Sequence, residues 1–323
     1  MPDRSTAPTQ AANAIAGQPG AHASELSGGP REHVDSAPER LPMTIPGLME
    51  HKRSGEPLVM VTCYDYPSAR IVEQAGVDLA LVGDTAAMTV LGYESTVPVT
   101  VEELLVLVKA VRRGLTRPLL VGDLPFGSYE VSDVQAVITA QRFVKEGGCD
   151  AIKLEGGGPM IDRARAIAAT GIPVVGHVGL TPQTATALGG FKAQGRTAER
   201  AAQVVRDALA LQDAGCCCVV FEAIPAAVAQ LAMQRLEIPT IGIGAGGATD
   251  GQVLVWHDLL GLYEWGSPRF VKRYAELRPQ ILDALRCYAG EVRSHEFPSS
   301  EYTYSIDPAE LEQLRELLGA TAA

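Results

Sequence analysis

The chain has 323 residues, 46% hydrophobic and 20% charged, enough to bury one barrel-sized core or two smaller ones. Its formal net charge of -11 argues against nucleic acid or an anionic membrane as a partner, and the Arg112-Arg113 pair is isolated rather than part of a basic patch. No apolar run is long enough to cross a bilayer, and no basic segment leads into an apolar core at the start of the chain, so a cytoplasmic protein without a membrane partner is expected.

Residues 1–42 are rich in Ala, Gly, Pro, Ser and Gln and show no hydrophobic period, the pattern of a disordered tail. A transit peptide is the alternative, but Asp3, Glu25, Glu32, Asp35 and Glu39 count against it. From Met43 onward, short runs rich in Val, Ile and Leu alternate with stretches of helical spacing. The runs are Leu58–Tyr64, Asp78–Asp84, Pro118–Asp123, Asp150–Glu155, Pro173–Gly179, Cys217–Glu222, Pro239–Gly244 and Val253–Leu260. Their near-continuous apolarity suits strands buried on both faces of a parallel sheet.

Helices are predicted over Pro67–Ala75, Val101–Leu115, Val131–Glu146, Pro159–Ala169, Thr197–Ala214, Pro225–Leu236 and Phe270–Val292, with Thr100 as the N-cap of the second. Eight strand-like runs alternating with helices across 43–298 point to an α/β protein, a (β/α)8 TIM barrel. An open doubly wound sheet is the competing architecture, because the number of runs does not prove closure. Residues 299–323 read as a C-terminal extension carrying an amphipathic helix. Asp307, Pro308 and Glu310 open that helix, and Leu311, Leu314 and Leu318 share one face. It should dock on the barrel or on a neighbouring subunit.

Three of the six cysteines, Cys216 to Cys218, are consecutive in one apolar run. Successive strand residues point to opposite faces, so they cannot converge on one metal. They read as plain buried thiols, as do Cys63, Cys149 and Cys287.

The chemistry gathers at the ends of the runs. Asp84, Asp123, Glu155 and Glu222 each sit at or beside the last residue of a separate run, where a parallel barrel collects functional groups on one rim. Clustered carboxylates repel one another unless a cation neutralises them, and Mg²⁺ takes oxygen ligands while keeping positions open for substrate. Helix caps or salt bridges are the alternative for any one acid. Lys153 and Glu155 are two apart on one run, so both side chains point the same way. The ammonium could balance an anionic substrate, form a Schiff base, or pair with Glu155. His177 ends the fifth run, where a hydrogen bond to substrate competes with a packing role. The turn Gly242 to Gly247 could offer backbone N–H groups to an anion or serve close strand-helix packing.

Several motifs resemble those of the ketopantoate hydroxymethyltransferase family. They are Thr-Cys-Tyr-Asp-Tyr at 62–66, Val-Gly-Asp-Thr at 82–85, Pro-Val-Thr at 98–100 and Asp-Leu-Pro-Phe at 123–126. Further along come Lys-Leu-Glu-Gly at 153–156, Gly-His-Val-Gly-Leu-Thr-Pro-Gln at 176–183, Gly-Gly-Phe-Lys-Ala-Gln-Gly-Arg at 189–196 and Ile-Gly-Ile-Gly-Ala-Gly at 241–246. The resemblance implies a barrel of the phosphoenolpyruvate/pyruvate-like superfamily that converts 3-methyl-2-oxobutanoate and 5,10-methylenetetrahydrofolate into 2-dehydropantoate and tetrahydrofolate. It implies Mg²⁺ ligands at Asp84, Asp123 and Glu155, substrate contacts at Asp84, Thr85, Asp123 and Lys153, and a proton acceptor at Glu222. It also implies a large homo-oligomer. His177 joins the expected substrate-binding set from its place at a strand end. Thr85 departs from the family's usual serine, and Phe221-Glu222-Ala223-Ile224-Pro225 from its Leu-Glu-x-Val-Pro. Competing readings are a carbon-carbon lyase or mutase, a Schiff-base aldolase, and a barrel that binds without catalysis. The two chain ends lie outside the resemblance.

Overall fold

The computed structural model describes residues 41–263 and 268–319. The tail expected over 1–42 therefore falls, apart from its last residues, outside the described chain.

The described chain opens with a helix that the sequence pattern does not predict, α1 (Ile45–Ser54). Thr44 caps it by accepting a 3.1 Å bond from Gly47 N, Pro46 sits in the first turn, and Gly55 ends it at φ 72°. Then follow β1 (Leu58–Thr62), α2 (Tyr66–Gln74), β2 (Leu79–Val82), α3 (Ala86–Thr89), α4 (Val101–Gly114) and β3 (Leu119–Asp123). Next come α5 (Asp133–Lys145), β4 (Ala151–Lys153), α6 (Met160–Ala168), β5 (Val174–Gly179), α7 (Ala198–Asp213) and β6 (Cys218–Glu222). The order ends with α8 (Ala226–Met233), β7 (Thr240–Ile243), β8 (Gly251–Leu254), α9 (Trp256–Leu259), α10 (Leu277–Ser294) and α11 (Pro308–Leu317).

All eight strands are parallel and each pairs with its neighbour in sequence, while β8 returns to β1, with Leu58 opposite Gly251. The sheet is closed, which decides for the barrel and against the open doubly wound sheet. Strand alternation separates two cores. Leu119 and Val121 of β3 join Leu79, Val175, Val220 and Ile241 inside the barrel, and Leu48 of α1 belongs to the same cluster. Leu120, Ile152, Val219 and Phe221 point outward under the helices. Cys218 falls in the inner cluster, with Cys217 packed against it, and Cys216 falls in the outer one. Burial pushes both Cys216 and Cys217 up to about 12, which keeps them protonated and inert.

Local chemistry marks the helix starts. Thr100 and Glu103 form a reciprocal capping box on α4, with Glu103 N donating at 3.2 Å and Thr100 N donating back at 2.8 Å. Asp307 caps α11 through Ala309 N at 2.8 Å. No residue of α11 is buried in the described chain, so its leucine face is not docked on this chain's own barrel.

Three expectations need correction. The eighth run, Val253–Leu260, is strand only at its start. β8 begins earlier, at Gly251, and the rest turns into α9, whose Trp256 N donates to Thr62 Oγ1 at 2.8 Å. The helix expected from Phe270 starts at Leu277, which places Pro279 in its first turn, where the missing N–H costs nothing. Cys287 is exposed rather than buried, because it lies on α10, and α10 buries none of its residues. No described helix is long and apolar enough to cross a membrane.

At the N-terminal face of the barrel, Glu73 of α2 accepts bonds from Thr116 N (2.9 Å), Thr116 Oγ1 (2.7 Å), Arg117 N (3.1 Å) and Arg117 Nε (2.7 Å). Burial alone would raise its pKa, but these donors bring it from 4.5 down to about 2. The folded-state value lies below the unfolded one, so this contribution is complete above pH 4.5 and is lost as pH falls toward 2. Glu73→Gln should lower stability at pH 7 by about 3 kcal/mol and flatten the acid limb of the stability curve. Urea titrations of both proteins between those pH values provide the check, and equal acid sensitivity would contradict the assignment.

Candidate active site

Because every strand runs the same way, the C-terminal ends of β2 to β6 share one rim. Asp84 lies just beyond β2, Asp123 ends β3, Lys153 ends β4 directly opposite Asp123, and Glu155 follows two residues later. His177 lies within β5, and Glu222 ends β6 opposite Gly179. The side chains of Asp84, Asp123, Lys153, Glu155, His177 and Glu222 meet in one connected group, in which all but Glu222 are buried, while the part-buried Thr85 stands beside it.

Asp84, Asp123 and Glu155 each offer a carboxylate oxygen within 4.8 Å of the others. Lys153 Nζ lies among them, 2.7 and 2.8 Å from the two oxygens of Asp123 and 3.3 Å from Glu155 Oε1. Burial, then the charges of Asp123 and Glu155, hold the Asp84 carboxyl well above its ordinary range. Burial would also raise Glu155, yet Lys153 and then His177 bring it down to about 2. Burial opposes the charge on Lys153 too, but Asp123, Glu155 and Asp84 outweigh it, so the amine is held protonated. The amine is thus engaged in ion pairs with Asp123 and Glu155, the pairing role that the sequence left open beside the Schiff base.

The cluster holds more acid than its single ammonium balances, and its donors are carboxylate oxygens, the set a hard divalent cation prefers. The residues present therefore fit a Mg²⁺-type ion.

His177, 1% exposed, is clamped between two carboxylates, with Nδ1 3.2 Å from Glu155 Oε1 and Nε2 3.3 Å from Glu222 Oε2. Burial would lower its pKa, but Glu155 and then Glu222 raise it to about 9, favouring the imidazolium. Glu222 retains an exposed edge, 17% of its side chain. The next residue, Ala223, is in the left-handed region at φ 46°, where a side chain is strained. Its N–H donates to Ile243 O at 2.8 Å and its carbonyl accepts from Gln194 N at 2.9 Å, bonds that hold this backbone in place.

Thr85 sits at the start of α3, with its hydroxyl 2.9 Å from Tyr64 OH. The glycine turn is used for packing: a Cβ on Gly244 would strike the Phe270 ring, and one on Gly246 would strike Ala226.

Two residues of the rim were not among the predicted ones. Gln183 N donates to Glu155 Oε2 at 3.1 Å, and its Nε2 donates to Asp84 Oδ2 at 3.0 Å and to Leu124 O at 2.9 Å. Tyr129 OH donates to Gln183 Oε1 at 2.5 Å and accepts from Glu155 N at 3.2 Å. Gln183 closes the motif at 176–183, so a signal existed for it; Tyr129 lies in the loop after β3 and carries none.

The closed parallel barrel is a fold class that solved structures share. The chain matches a phosphonopyruvate hydrolase complexed with oxalate and Mg²⁺ at a TM-score of 0.54 and 13% identity, over 86% of this chain and 95% of that one. It also matches 2,3-dimethylmalate lyase, a member of the PEP mutase/isocitrate lyase superfamily, at a TM-score of 0.52 and 15% identity, over 87% of this chain and 97% of that one. Identities this low establish the fold alone.

The sequence is more specific. The profile of the ketopantoate hydroxymethyltransferase family matches residues 42–300, and the chain belongs to that family. It is 49% identical over 272 residues to the 3-methyl-2-oxobutanoate hydroxymethyltransferase of Carboxydothermus hydrogenoformans, covering 84% of this chain and 99% of that protein. It is 51% identical over 277 residues to the Arabidopsis thaliana protein named 3-methyl-2-oxobutanoate hydroxymethyltransferase 1, mitochondrial, covering 84% of this chain and 80% of that one. The chain is accordingly a hydroxymethyltransferase enzyme.

Proposed function

We propose that the enzyme joins 3-methyl-2-oxobutanoate, 5,10-methylenetetrahydrofolate and water to give 2-dehydropantoate and tetrahydrofolate. The observation that carries the reading is the division of the rim: a buried acid-ammonium cluster on β2 to β4, and across His177 a separate, partly exposed carboxylate on β6.

Asp84, Asp123 and Glu155 would hold Mg²⁺, which supplies electrophilic stabilisation of the negative charge left on the keto oxygen when the C3 proton leaves. Asp84, Thr85 and Asp123 border the oxoacid, and the Lys153 ammonium balances its carboxylate. Glu222 takes the C3 proton, since its carboxylate has an exposed edge and is not committed to the cluster. His177 contributes to this pocket through Nε2, which orients Glu222, while Nδ1 ties the ring to Glu155. C3 then bonds to the one-carbon unit and water supplies its hydroxyl oxygen, while both bonds from that carbon to the folate nitrogens N5 and N10 break and the two nitrogens take up the C3 proton and one proton of the water.

With Mg²⁺ but no folate, the wild-type protein should exchange the C3 proton of 3-methyl-2-oxobutanoate for deuterium in D2O, followed by proton NMR. Adding 5,10-methylenetetrahydrofolate should then yield 2-dehydropantoate. Absence of exchange in the metal-loaded protein would sink the reading.

A further inference from the structure

Beyond the acid cluster, the rim opens into a cavity of about 530 Å³ between the loops after β4 and β5 and the inner side of α7. That is within the roughly 300–1,000 Å³ of small-molecule sites. One end is bordered by Glu155 and by Gly179, the register partner of Glu222, so the cavity opens beside the acid cluster. Its walls include the apolar side chains of Met160, Val178, Leu188 and Val204.

The far end is polar. The Asp207 carboxylate packs directly against Gly157, where any Cβ would overlap it, so it is fixed beside the loop that follows Glu155. It accepts a 2.9 Å bond from Gln203 Nε2, and among the described residues it forms no ion pair. Arg200, exposed at the edge of the same cavity, uses its backbone N–H to bond Thr197 and leaves its guanidinium available to an anion.

We propose that this cavity is the seat of the one-carbon donor, with the pterin ring between the apolar walls, its amino and ring N–H edge on Asp207, and the glutamate tail toward Arg200. This assignment rests on the hydroxymethyl-transfer reading above. A reduced pterin presents a flat face for the aliphatic walls and adjacent N–H donors that match a carboxylate's two oxygens. Its tail carries carboxylates, for which an exposed guanidinium is the matching partner. The oxoacid has no N–H donors for Asp207 and no flat ring for the apolar walls.

Asp207→Asn exchanges an acceptor-only group for one that also presents donors. Calorimetric titration with tetrahydrofolate should show binding weakened by about tenfold to a hundredfold. The donor-free exchange of the C3 proton should persist in the variant, which also shows that the barrel has folded. Arg200→Glu should weaken binding of the pentaglutamate form of tetrahydrofolate about tenfold more than that of a pteroate lacking glutamate. Tetrahydrofolate affinity within twofold of wild type in Asp207→Asn, with exchange intact, would overturn the site and leave the reaction standing. Equal losses for both tail lengths in Arg200→Glu would overturn the placement of the tail. Failure of the wild-type protein to exchange at all would strike the underlying reading instead.

Discussion

Glu222→Gln slows deuterium exchange at C3 of 3-methyl-2-oxobutanoate by about 10²–10⁴-fold, the span a positioned general base contributes. The amide preserves the size of the side chain and a contact for His177 Nε2, 3.3 Å away in the native site, but it cannot accept the substrate proton. Binding of Mg²⁺, measured by calorimetry, should change little, because Glu222 stands outside the three-carboxylate group. This split separates the base from the metal acids. Exchange within about tenfold of wild type would move the base role elsewhere.

Lys153→Met and Asp84→Asn should shift the stability of the metal-free protein in opposite directions. Removing Lys153 leaves Asp123, Glu155 and Asp84 buried with their nearest cation gone, a loss of about 3–5 kcal/mol when one partner of a buried pair is deleted. Replacing Asp84 removes one of the crowded like charges while keeping an oxygen that can accept the 3.0 Å bond from Gln183, so metal-free stability should rise by about 1 kcal/mol. Asp84→Asn should nevertheless lose the thermal stabilisation that Mg²⁺ confers on wild type, together with metal-dependent substrate binding. Denaturant titrations with EDTA, beside melting curves with and without Mg²⁺, test both effects. A destabilised Asp84→Asn, or one that still responds to the ion, would contradict the ligand assignment.

The rim was legible where its residues end strands. Asp123, Lys153 and Glu222 stand at the last position of β3, β4 and β6, and parallel connections bring such positions to one face. Gln183 and Tyr129 escaped because each reaches the cluster from a loop, and a loop's course is set by its packing rather than by periodicity. The helix α1 is short and carries both Pro46 and Gly47, which mask its apolar spacing, although Thr44 and Gly55 mark its ends. Cys287 was misread because residue type alone does not reveal that α10 leaves its faces uncovered.

Local sequence was sufficient for the alternation of buried strands and capped helices, and for the set of ionisable residues that one rim would carry. Those features depend on short-range periodicity and on the single direction shared by the strands. Closure was decided only in three dimensions, by the register that returns β8 to β1. So was the grouping of the carboxylates. Lys153 lies among Asp123 and Glu155, and His177 faces Glu222, because the curvature of the closed sheet sets the distances between strand ends. Distances of a few ångströms between groups far apart in the chain are properties of packing, and they set the three-acid cluster apart from Glu222.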